Sequence, residues 1–105
     1  MKILVPKTAI DHGILRVLLS EIPVESGLVK AYRTNESGKL LEEIGIATLY
    51  GKGQPSLADE QTMLQFRIHK NLSSPLKQGE IVEICLENAL TSTAVPAHFN
   101  VIQVT

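Results

Sequence analysis

The sequence predicts an all-β fold, a small single-domain barrel or sandwich of about seven mostly antiparallel strands. Three observations predict it. TMLQFRIHK (62–70) and EIVEICLEN (80–88) alternate apolar and polar residues with a period of two, the mark of a half-buried strand. IGIATLYG (44–51) carries no charge on either face, as a central strand does. Turn-forming clusters punctuate the chain at a spacing of about 8–12 residues: DHG (11–13), PVESG (23–27), NESGK (35–39), GKGQPS (51–56), NLSSPLKQG (71–79) and TSTAVPA (91–97).

Taken in chain order, the opening MKILVPKTAIDHG has too short an apolar run for a signal peptide. DHGILRVLLSEIP (11–23) reads as a strand entered through a DHG turn. The alternative is a helix at about 12–22 with Asp11 as N-cap and a Leu15, Leu18, Leu19, Ile22 stripe, which makes the class α+β. Gly13 and the β-branched Ile14, Val17 and Ile22 favour the strand. In 44–51, Gly45 and Ala47 leave room for a close neighbour on one side. In 62–70, Leu64, Phe66 and Ile68 share a face opposite Gln65, Arg67 and His69; in 80–88, Val82, Ile84 and Leu86 stand opposite Glu83, Cys85 and Glu87. The matched parity across 71–79 predicts a hairpin with those six apolar residues buried together. A second hairpin is expected between 80–88 and 98–104, with Leu86 opposite Asn100, Ile84 opposite Ile102 and Val82 opposite Val104. Both faces of the last strand are apolar, so a one-residue slip is open to it.

A chain of 105 residues, 44% of them apolar, is expected to form one β-rich domain, 1–105. Only Tyr32, Tyr50, Phe66 and Phe99 are aromatic, so Leu, Ile and Val must build the core. Ten basic residues against eleven acidic give a net charge of −1, without the basic footprint of a nucleic-acid binder. No run approaches the about 20 apolar residues that span a bilayer. A single cysteine forms no intrachain disulfide, which agrees with a cytoplasmic location.

Chemistry-bearing residues are few. Arg67, His69, Glu83 and Cys85 share the polar faces of the two alternating strands, and the expected hairpin makes them the candidate ligand-binding cluster. The plainer account is a cross-strand charge ladder. Glu83 and Glu87 flank Cys85 and oppose its thiolate, so an inert thiol is expected. The expected register puts His98 on the face opposite Cys85, so the two form no dyad. His12 is read as a turn residue, and the adjacent Glu42 and Glu43, pointing to opposite faces, as solubility charges. KQGEIVEICLEN resembles the G-E-x-V-x-I-x-L-x-N rhythm of cupredoxin-type strands. The close Cys, His and Met cluster of that family is missing here, so no copper site is carried over. GKG at 51–53 is followed by Gln-Pro-Ser rather than a P-loop, and there is no G-x-S-x-G elbow. No catalytic residue, metal or cofactor is assigned.

The function these features favour is a non-catalytic module acting through a protein partner or self-association as a homodimer. Strands apolar on both faces (14–19, 44–50, 99–104) give one small domain more apolar surface than it easily buries. A ligand-binding barrel or enzyme built on His69, Glu83 and Cys85 is the second class. An OB-like single-strand nucleic-acid binder, with Tyr32 beside Lys30 and Arg33, is the third.

Overall fold

Alternation along the strands decides which side chains enter the core, and the described residues close that core inside a nearly complete antiparallel barrel. The computed structural model describes residues 1–23, 27–51, 57–88 and 90–105. In chain order the elements are β1 (Lys2–Leu4), α1 (Lys7–His12), β2 (Ile14–Leu19), β3 (Leu28–Thr34), β4 (Leu40–Tyr50), β5 (Thr62–Arg67), β6 (Ile81–Glu87), β7 (Ala94–Pro96) and β8 (Val101–Val104). They form one sheet in the order β1-β6-β3-β4-β5-β2-β8, with β7 against β6. The radius of gyration, 13.3 Å, is that of a compact domain of this length.

The strand at 14–19 forms as expected. Leu15, Val17 and Leu19 are fully buried while Ile14, Arg16 and Leu18 are partly exposed. No helix occupies 12–22. A helix does form earlier, over Lys7–His12, and DHG is its C-terminus rather than a hairpin turn. Gly13 adopts the left-handed conformation (φ 70°) and its N–H donates to the Ala9 carbonyl at 2.8 Å. That is a glycine helix stop. Six residues with only Ala9 buried show no periodicity to read.

β3 and β4 meet through NESGK, the expected turn. Asn35 Oδ1 accepts the Ser37 and Lys39 N–H groups at 3.0 and 2.9 Å, and Gly38 takes the positive φ of 85°. β4 lies between β3 and β5, as its uncharged run predicts. β5 packs tightly on Gly45: a Cβ there would stand 3.0 Å from the Arg67 carbonyl oxygen and 3.3 Å from Phe66 Cβ. The turns at 23–27 and 51–56 lie largely outside the described residues.

Both expected hairpins are replaced. Leu64, Phe66, Val82 and Ile84 are fully buried, and Ile68 and Leu86 pack against the same core. Yet β5 pairs with β2 and β4, while β6 pairs with β1, β3 and β7. Two strands separate them, and 68–80 crosses the end of the barrel instead of turning back. Leu76 plugs that end, and Val5 pins the segment through Gly79 N–H and the Glu80 carbonyl at 2.8 and 2.9 Å. The last strand also changes partner. β6 sets Leu86 opposite Val95 and Cys85 opposite Pro96, and β8 crosses to β2, with Val17 opposite Val104 and Leu18 opposite Gln103. Parity fixes the face a side chain takes; it does not choose the neighbouring strand.

Candidate functional site

Neighbouring residues on a strand point to opposite faces, and Glu42 and Glu43 of β4 use this to anchor two separate polar networks. Glu42 faces the barrel end. Its Oε1 accepts from Arg33 Nη1 and Ser73 Oγ, each at 2.9 Å, and its Oε2 accepts from the Ser73 N–H at 2.9 Å. Arg33 is 9% exposed and also reaches Glu80 Oε2 at 2.6 Å and the Ser74 carbonyl at 3.1 Å. The Ser73 N–H, then its hydroxyl, then Arg33 hold the Glu42 carboxyl below its ordinary value.

Glu43 faces the other way. Its Oε1 lies 3.1 Å from Lys30 Nζ and its Oε2 lies 2.6 Å from His69 Nε2. Burial pushes the Glu43 carboxyl up, but His69 and Lys30 outweigh it and the net direction is down. Lys30 also contacts Glu87, which raises the lysine. These carboxylates are therefore structural partners of buried and half-buried cations, not solubility charges. One signal was available: Lys30 and Arg33 are cations inside an otherwise apolar strand, and buried cations need acids.

The four candidate residues do not converge. Arg67 is exposed on β5, opposite Ile14 of β2. His69 belongs to Glu43. Glu83 is 6% exposed on β6, with the Met1 ammonium 2.6 Å from Oε2 in an ionic contact rather than an aligned hydrogen bond. Cys85 is fully buried, and burial first, then the Glu83 charge, pushes its thiol up to about 11. Only Glu83 and Cys85 are neighbours. His98 is exposed while Cys85 is buried, so they form no dyad. Beside Tyr32, Lys30 and Arg33 are both committed to ion pairs, which removes the free cations a stacking platform would use.

Two further features complete the description. One is a groove of about 350 Å³ between α1 and the crossing segment, with His69 on its wall. The other is the outer edge of β8. Arg16 and Thr105 exchange both backbone hydrogen bonds, at 2.7 and 2.8 Å, so the N–H and C=O of Val104 point away from β2. Among the described residues β8 pairs with β2 alone. Val101 and Ile102 are 38% and 51% exposed beside that edge. No helix among the described residues is long and apolar enough to cross a membrane. Comparison with protein-family models, curated proteins and solved structures found no match.

Proposed function

We propose that the protein is a non-catalytic β module that works by self-association, two copies joining their β8 strands antiparallel across a twofold axis. The observation that carries this is the open, apolar edge of β8. An unpaired strand edge is a template for another strand, and soluble proteins usually blunt it with charge, proline or cover. Here 99–105 holds no Asp, Glu, Lys, Arg or Pro. A second copy is the occupant that this edge favours. Antiparallel pairing of a strand with itself is self-complementary and closes after two chains, and an uncharged strand meets no like charge in its own copy.

Sedimentation of the full chain at micromolar concentration tests the proposal. A species of twice 11.5 kDa is expected. Ile102→Lys, at an exposed position, is expected to return the chain to a monomer without changing its circular dichroism. A wild-type monomer at every concentration, or a dimer that survives Ile102→Lys, would overturn the β8 assignment.

A further inference from the structure

The outward face of β2 and β5, flanked by β8 and the second half of β4, carries an inference that concerns a sheet face rather than the β8 edge. It holds for one copy or for two. Ile14, Arg16, Leu18, Met63, Gln65 and Arg67 share this face, because Leu15, Val17, Leu64 and Phe66, which alternate with them, are fully buried. Register sets Leu18, Met63 and Tyr50 in one row, Arg16 and Gln65 in the next, and Ile14 and Arg67 in a third. Arg16 and Arg67 are thus diagonal neighbours, about 7–8 Å apart at the backbone.

What marks this face is charge without counter-charge. Among the described strands the acidic residues are Glu42, Glu43, Glu83 and Glu87, all on the first half of β4 and on β6. β2, β5 and β8 hold none. The cations of β3 are each held by two carboxylates, Lys30 by Glu43 and Glu87, and Arg33 by Glu42 and Glu80. Among the described residues, Arg16 and Arg67 have no carboxylate within ion-pair distance. Arg16 donates through Nε to Gln65 Oε1 at 3.3 Å, which steadies the guanidinium and leaves its Nη groups without a partner among the described residues.

We infer that this face is a docking surface for an acidic segment of a protein partner, with carboxylates on Arg16 and Arg67 and an apolar side chain on the row of Leu18, Met63 and Tyr50. A guanidinium donates two parallel hydrogen bonds to one carboxylate. Two guanidiniums side by side repel until anions meet them. Rows two residues apart on a strand lie about 7 Å apart, the spacing of every second side chain in an extended peptide. An extended segment whose alternate residues are acidic and apolar therefore matches both the charge and the rows. Nucleic acid matches less well: Tyr50 is the one aromatic in these rows, whereas a single-strand platform stacks successive bases.

The test is an amide NMR titration of the full chain with a capped decapeptide in which every second residue is glutamate or leucine and the rest are serine. The same peptide with glutamine in place of glutamate is the control. The glutamate peptide is expected to shift the amides of 14–18, 48–50 and 63–67, to bind about fivefold tighter than the control, and to weaken as salt is raised. The Arg16→Gln, Arg67→Gln double variant is expected to bring it down to the control level. Lys77→Gln, an exposed position on the crossing segment, is expected to leave it unchanged. Equal affinity for the two peptides in the wild type, or no shift at millimolar peptide, would overturn the inference. So would a loss in Lys77→Gln as large as in the double variant. Tighter binding of single-stranded oligothymidylate at the same amides would overturn it too, and would assign the face to nucleic acid.

Discussion

Cys85 occupies the parity of β6 opposite to Val82 and Ile84, yet it is as fully buried as they are. Two strands flank it, Lys30 of β3 on one side and Pro96 of β7 on the other. The expectation of an inert thiol rested on two flanking glutamates. In the folded chain burial comes first and the Glu83 charge second, while Glu87 is engaged by Lys30. With its thiol pushed up to about 11, roughly one cysteine in a thousand is thiolate at pH 8. Modification by a maleimide is therefore expected to be slow in native buffer and to accelerate once denaturant exposes the side chain. A native rate like that of an activated catalytic thiol would show that Cys85 is neither buried nor opposed by charge.

β4 and β5 show how closely two elements approach when a side chain is absent. Gly45 is buried, and the obstacle to a Cβ is the Arg67 carbonyl, a backbone atom that cannot rotate away. Gly45→Ala is expected to destabilise the fold by about 1–3 kcal/mol, as overpacking does. On the other side of that contact, Phe66 is fully buried in the barrel, and Phe66→Ala should cost about 3–5 kcal/mol. In urea both variants should lower the midpoint and leave the slope unchanged. A midpoint close to wild type for Phe66→Ala would remove Phe66 from the core. No change for Gly45→Ala would mean that β4 and β5 stand farther apart than the packing shows.

At the scale of the whole molecule, the crossing segment 68–80 closes one end of the barrel, with Leu76 in the core and Ile68 and Leu72 against it, and polar contacts tie it to β3 and β4. Glu42 holds Ser73, Arg33 holds Ser74 and Glu80, and Glu43 holds His69. Both the Glu42 and Glu43 carboxyls are held below the ordinary value of 4.5. A depressed folded value contributes stability that is complete above 4.5 and is lost as pH falls through the lower folded values. Denaturation midpoints are thus expected to be level from pH 7 to 5 as far as these two groups are concerned, and to drop below pH 4.5. The Glu42→Gln, Glu43→Gln double variant should be less stable at pH 7 and lose less on acidification. An equal acid drop in the variant would assign the effect to other carboxylates.

The class of fold, the strand at 14–19, the central position of β4, the NESGK turn and the burial of Leu64, Phe66, Val82 and Ile84 were all legible in the amino-acid pattern. Each of these is local. A period of two sets the face of a side chain whichever strand lies alongside, and Asn and Gly make their turn within five residues. Tertiary structure alone decided which strands pair. β5 and β6 show the same alternation across one loop, but edge hydrogen bonds are nearly blind to sequence, so β2 and β4 satisfy β5 as well as β6 would have. The candidate cluster went with the hairpin, because Arg67 and His69 were tied to Glu83 and Cys85 only by that pairing. What replaced it, His69 against Glu43, spans 26 residues, from β4 to just past the end of β5. No spacing in a sequence encodes such a contact. It exists because 68–80 crosses the barrel end and carries an imidazole past the outward face of β4.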